Sequence, residues 1–321
     1  MDIDTLHTRR AASRRALRRR RRRAAGALAA IAAVVAAIVV VLSSSGGASH
    51  ARAKHAQAGH GATRAGAGVR RERGGGVRTG RPGEEPAPIL MYHVIAPAPA
   101  GAPFPGLYVT PAAFAAQMRA LERAGWTAVT LDELAAYWRE GVSLPAGKPI
   151  VVSFDNGYHS QFAQALPILR RLGWVGDENI QLTGLPPSQG GLSEREVRAL
   201  LGAGWELDTQ GASHADLITL DAAQLHEQVA RTRTILQRRY HVPVNWFCYP
   251  SGHYDATVVA AVRAAGYDGS TTVVPGWAHR GDDPYRLRRL RVLGGTSPSA
   301  LLSLIAAVRD DPPAPASYGG A

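Results

Sequence analysis

Ile150-Val151-Val152-Ser153-Phe154 is an almost unbroken apolar run that stops at Asp155-Asn156-Gly157-Tyr158. A strand with no solvated face must be covered on both sides, which points to a parallel sheet with helices packed against it. Two adjacent polar side chains and a glycine at its carboxyl end stand where β/α folds assemble their active sites.

The segments around this strand repeat the pattern. From Pro88 onward, apolar runs alternate with amphipathic stretches, the signature of a β/α architecture. Strands are predicted over 89–94, 128–129, 149–154, 179–182, 205–209, 245–249, 269–273 and 287–292. Between them Thr110 and Ser193 are helix caps, and Phe114, Met118 and Leu121 share one helical face. A long helix is predicted over 222–240, with further helices over 256–265 and 299–308. Seven to eight β/α units in about 235 residues predict an α/β fold, a distorted or incomplete (β/α) barrel.

The residues before this region are of a different kind. Residues 1–86 hold 18 Lys and Arg against 5 Asp and Glu, a net of +13, while the remainder carries a net of −1. The basic character therefore belongs to the N-terminal region, and no nucleic-acid partner is implied for the folded part. Residues 1–23 form a basic cytoplasmic segment. Ala24 to Leu42 is uncharged and, at roughly 28 Å as a helix, long enough to span a bilayer core. Arginines on its N-terminal flank keep that end inside, so the rest of the chain is expected to face outward. A transmembrane anchor and a secretion signal removed by cleavage both fit this stretch. Residues 43–86, rich in Gly, Ala and Arg, read as a disordered linker, 87–309 as the folded domain and 310–321 as a disordered tail. The lone cysteine, Cys248, rules out an intramolecular disulfide and a multi-cysteine zinc site, and reads as a buried, inert thiol.

Several motifs occur in a fixed order. Ser153-Phe154-Asp155-Asn156-Gly157 is followed by Gly204-Trp205-Glu206-Leu207-Asp208-Thr209-Gln210-Gly211-Ala212-Ser213-His214-Ala215-Asp216-Leu217, then by Phe247-Cys248-Tyr249-Pro250-Ser251-Gly252, and finally by Arg288-Arg289-Leu290-Arg291-Val292. This succession resembles the NodB-homology polysaccharide deacetylases (carbohydrate esterase family 4-like), and Met91-Tyr92-His93 resembles the domain start of envelope poly-N-acetylglucosamine deacetylases. The resemblance implies a hydrolase of carbon–nitrogen amide bonds in N-acetylated cell-envelope polysaccharide. It implies Asp155 as general base and a divalent metal, zinc by preference, at the positions of Asn156, Gln210 and His214. It also implies a substrate groove shaped by Tyr158, Tyr249, Pro250, Ser251 and Gly252.

Two of the three metal positions depart from the family pattern, because Asn156 stands for an aspartate and Gln210 for a histidine. Two neutral amides and one imidazole form a poor zinc site, since a negative charge and a strong nitrogen donor are gone. Asp208, two residues before Gln210 on the same strand face, is a candidate replacement ligand with Asp155 and His214. His93 reads either as a hydrogen-bonded strand-end residue or as a catalytic acid. Trp246 and Trp277 suit either sugar stacking or the core. The expectation is a membrane-tethered, extracytoplasmic polysaccharide deacetylase-like domain. A catalytically inactive, carbohydrate-binding descendant of the same fold is the alternative.

Overall fold

The computed structural model describes residues 77–320 apart from 184 and 186–189. The basic segment, the membrane span or signal, and most of the linker lie outside the described residues. Among the described residues no helix is long and apolar enough to cross a membrane.

The strands are β1 (Ala87–Tyr92), β2 (Trp126–Ala128), β3 (Lys148–Asn156), β4 (Asp177–Ile180), β5 (Glu206–Thr209), β6 (Trp246–Cys248), β7 (Gly269–Thr271), β8 (Trp277–Ala278) and β9 (Leu290–Arg291). The sheet runs β7-β6-β5-β4-β3-β1-β8, with β2 paired to β3 and β9 to β1. Among the strands of the described residues only β8 is antiparallel to its neighbour. Because β9 lies beside β1 and Thr271 bridges to Leu287, the sheet curls back on itself as a distorted (β/α) barrel.

Helices cover the outer face and one end of the barrel. They are α1 (Pro111–Arg123), α2 (Leu131–Glu140), α3 (Leu166–Arg171), α4 (Glu194–Gly202), α5 (Ala222–His226), α6 (Thr232–Tyr240), α7 (Ala256–Ala264) and α8 (Pro298–Ala307). The Thr110 and Ser193 caps accept the Ala113 and Glu196 N–H groups as their sequence positions require. A π-turn at Glu227–Arg231 interrupts the long helix expected over 222–240.

Strand alternation divides the interior into two layers. Tyr92, Phe154, Leu207 and Phe247 face the helices, where Phe154 stacks on Trp205 at 4.9 Å. Ile89 and Val151 face the barrel axis and pack with Trp246, Leu287 and one face of α2, which plugs the barrel. Trp246 and Trp277 are therefore core residues, 2% and 5% exposed, and neither offers a face to a sugar.

The plug is held by acidic residues on the inner strand faces. The Leu131 and Asp132 N–H groups at the start of α2 donate to Asp177 Oδ2 and Glu206 Oε2 at 3.2 and 2.9 Å. Asp132 in turn accepts from Asn245 and from the Trp246 indole. Free N–H groups and the helix dipole favour carboxylates at this end. Asp208 belongs to this cluster, its Oδ1 accepting the Trp246 backbone N–H at 3.0 Å.

Both ends of the domain differ from expectation. Residues 77–86, expected within the disordered linker, pair with the end of α2: Arg78 bridges Val142, and Gly83 N–H donates to the Tyr137 carbonyl. Residues 310–320, expected as a disordered tail, run along the domain, where Tyr318 and Tyr254 exchange two backbone hydrogen bonds of 2.8 Å.

Burial, then mutual repulsion, raises the proton affinity of Asp177, Glu206 and Asp208 well above that of ordinary carboxylates. Groups raised in this way stabilise the fold fully below their unfolded values near ~pH 4, and that contribution is lost as pH climbs through the folded values. Asp208→Asn, which keeps the Trp246 contact, is expected to lose less stability than the wild type as pH rises above ~4, measured as the pH dependence of the thermal midpoint. An identical pH dependence in the two proteins would contradict the raised proton affinity of Asp208.

Candidate active site

Asp155 ends β3 at the carboxyl mouth of the barrel and is 1% exposed. Its carboxylate is gripped by Arg289 from beyond β7, with Nη1 to Oδ1 at 2.7 Å and Nη2 to Oδ2 at 2.9 Å. Asn179 Nδ2 donates to Oδ1 at 3.0 Å, and the Cys248 thiol lies 3.6 Å from Oδ2. Arg289 is itself fully buried and also donates to the Thr272 carbonyl and Ser153 Oγ. Burial pushes the Asp155 carboxyl up, but the Arg289 charge and hydrogen bonds outweigh it and leave Asp155 below the ordinary carboxylate range. A pair with this geometry persists because removing one partner strands a buried charge, at a cost of ~3–5 kcal/mol.

His93 lies just past the end of β1. Its Nε2 is 4.0 Å from Asp155 Oδ2, and its buried Nδ1 has no hydrogen-bond partner among the described residues. Burial lowers its pKa to about 4 against the opposing pull of Asp155, so the imidazole is neutral at neutral pH. Gln161, in a π-turn at Gln161–Ala165, donates from Nε2 to the carbonyls of both His93 and Asp155, at 2.9 and 2.8 Å. One amide thus fixes the ends of β1 and β3 to each other. π-turns of this kind recur at functional sites.

The other candidates divide. Asn156 is 8% exposed and left-handed, with φ 78°, a conformation that asparagine tolerates better than most residues. Gly157 follows at φ 81°, and a Cβ there would meet Ile180 Cγ1 at 2.9 Å. Gln210 is 3% exposed, and its buried Oε1 has no hydrogen-bond partner among the described residues. His214, also left-handed at φ 54°, has its pKa lowered by burial, with Asp155 opposing. Asp208 is committed to the α2 plug, bonded to the Trp246 backbone, and does not join Asp155 and His214.

In the groove motif, Tyr249 is fully buried, with its hydroxyl on the Tyr285 carbonyl, and Pro250 and Gly252 are buried too. Ser251 and the half-buried Tyr158 are the accessible members. His159 is a solvent-facing first-turn residue paired with Glu196 at 2.9 Å. The Cys248 thiol is pushed up to about 12, first by burial, which makes it inert as a nucleophile.

Arg289, Asn179 and Gln161 carry the site's geometry without having been assigned a role from sequence. The one signal in the sequence is that residues 287–292, which read as a strand, hold three arginines, Arg288, Arg289 and Arg291, beside Leu287, Leu290 and Val292.

The residues at the expected metal position do not fit a divalent ion. Asn156 and Gln210 supply neutral amides, and the nearest carboxylate, Asp155, has both oxygens bound by Arg289. Among the described residues no three Asp, Glu, His or Cys side chains converge as a metal-binding group. The protein is expected to retain well under one equivalent of zinc after loading and desalting, measured by elemental analysis. Asn156→Asp combined with Gln210→His is expected to raise this to about one equivalent; stoichiometric zinc in the unchanged protein would contradict the reading.

The polysaccharide deacetylase profile matches residues 144–270. YxkH of Bacillus subtilis, provisionally named a polysaccharide deacetylase, is 27% identical over 229 residues, covering 70% of this chain and 79% of its own. The structure of a polysaccharide deacetylase from Bacillus cereus aligns with a TM-score of 0.61 at 26% identity, over 69% of each chain. The Streptococcus pyogenes deacetylase PplD, solved with acetate, shares the fold at 24% identity and a TM-score of 0.63, over 70% of this chain and 99% of its own.

Proposed function

The chain resembles polysaccharide deacetylases, most directly over residues 144–270, and we propose that its folded domain is one of them and hydrolyses the acetamido groups of an N-acetylated cell-envelope polysaccharide. The supporting observation is the 4.0 Å separation of Asp155 Oδ2 and His93 Nε2 at the barrel mouth. That gap is too long for a direct hydrogen bond and suits a water bound by both groups.

In this reading the ionised Asp155 orients the water and His93, neutral at rest, accepts its proton as the oxygen attacks the acetyl carbon. The imidazolium that forms faces the Asp155 charge. Carbonyl oxygen develops negative charge in the same step. Asn156, Gln210 and His214 occupy the sequence positions at which the resemblance implies a metal, and side-chain amides are competent oxyanion donors. The proton then passes from His93 to the departing sugar nitrogen, and the C–N bond breaks to give acetate and a free amine.

An envelope substrate is supported by the arginine-flanked apolar segment, which on the sequence reading tethers the chain with its folded domain outside the cytoplasm. Such a domain would meet wall or matrix polysaccharide directly.

Acetate release from N-acetylglucosamine oligomers tests this function. His93→Ala is expected to lower the rate ~10²–10⁴-fold. Since His93 titrates at about 4, the wild-type rate is expected to hold through neutral pH and to fall as the imidazole protonates on acidification. Oligomer binding without acetate release would instead support the carbohydrate-binding alternative, and a rate unaffected by His93→Ala would remove His93 from the chemistry.

A further inference from the structure

The C-terminal tail is anchored too firmly to be a loose extension. Arg288, 2% exposed, donates to the main-chain carbonyls of Asp311 and Pro312, and its only ionic partner is Asp282 at 3.6 Å among the described residues. If the tail departed, a buried guanidinium would lose its acceptors, which is costly. Further along, the Tyr254 hydroxyl donates to the Pro315 carbonyl at 2.8 Å. Tyr254 and Tyr318 then pair as an antiparallel bridge.

These contacts carry the tail to the barrel mouth. Tyr254 follows His253, which ends the loop after β6, and the Tyr318 ring lies 6.4 Å from the His253 imidazole. His253 Nδ1 in turn pairs with Asp216 Oδ1 at 3.0 Å, on the loop after β5 that also carries His214. Gly320 approaches so closely that a Cβ there would meet His253 Nε2 at 2.9 Å, and one on Gly319 would meet Ile218 Cδ1 at 3.7 Å. Ile218 is among the few large apolar side chains left exposed, at 37%. The patch thus combines a half-buried aromatic ring, an exposed aliphatic side chain and an imidazole–carboxylate pair with an outward carboxylate.

We propose that Tyr318, Ile218, His253 and Asp216 form an outer sugar subsite, in which the C-terminal tail supplies the aromatic wall for a pyranose ring of the bound polysaccharide. A pyranose has one apolar C–H face and a hydroxyl rim. Tyr318 and Ile218 match the face, and the His253–Asp216 pair matches the rim. The occupant is identified by continuity with the candidate active site, since the loop bearing Asp216 also bears His214. The subsite therefore rests on the proposed polysaccharide substrate, but not on the hydrolytic step.

Calorimetric titration of the full chain with the N-acetylglucosamine pentamer and dimer tests it. Tyr318→Ala is expected to weaken the pentamer Kd about tenfold and leave the dimer nearly unchanged, while Tyr318→Phe, which keeps the ring, stays within about twofold of wild type. Because loss of the ring also loosens the tail, saturation-transfer NMR on the wild type provides a second reading: the pentamer should receive magnetisation from tyrosine ring protons, and this transfer should drop in Tyr318→Ala. An unchanged pentamer Kd in the alanine variant, an equal loss for dimer and pentamer, or absence of pentamer binding would each overturn the subsite. Pentamer binding with the expected variant pattern but without acetate release would retire the hydrolytic reading and leave the subsite standing. Acetate release with an unchanged Tyr318→Ala Kd would retire the subsite alone.

Discussion

The bidentate contact between Asp155 and Arg289 joins groups 134 residues apart and organises the mouth of the barrel. One partner ends β3, and the other leads into β9, so the pair ties the middle of the sheet to the strand that brings it round toward closure. Two buried opposite charges are tolerated because each is met by further groups. Asn179 and Cys248 complete Asp155, while Thr272 and Ser153 complete Arg289. The desolvation cost of such a pair is offset only when the hydrogen bonds are this complete.

That commitment decides what Asp155 can do. A carboxylate with both oxygens on a guanidinium is a poor metal ligand and a weakened base, because the same charge that keeps it ionised also lowers its proton affinity. The neighbour with spare capacity is His93, neutral and held in place by Gln161. In the proposed reaction proton handling moves to the imidazole, and Asp155 is the fixed charge that orients water and stabilises the imidazolium. The departures at Asn156 and Gln210 fit one change, from Lewis-acid to hydrogen-bond stabilisation of the oxyanion. Amides and imidazole can perform that task without an ion, though with less electrostatic force.

Much of the fold was legible in the sequence because local signals agreed with the tertiary arrangement. Thr110 and Ser193 cap their helices, apolar runs become strands within a few residues of their expected ends, and Asp155 lies at a strand terminus. Strand alternation makes Asp208 a candidate ligand because it puts the side chain on the same strand face as Gln210, but it does not reveal that the Trp246 backbone N–H takes its Oδ1. Arg289 has no role legible in the sequence, since its contact with Asp155 depends on a pairing across 134 residues. The tail was read as disordered from its proline, alanine and glycine content. What holds it is a single buried arginine and two tyrosines, contacts that composition cannot express.

In the proposed reaction this site hydrolyses an amide through its own side chains, with Asp155 and His93 handling water in place of a metal. Acetate release from the N-acetylglucosamine pentamer by protein treated with a strong chelator, and verified metal-free by elemental analysis, tests it most directly. Turnover undiminished by chelation and unchanged on adding zinc is the expected result. Turnover that appears only when a divalent metal is restored would contradict it.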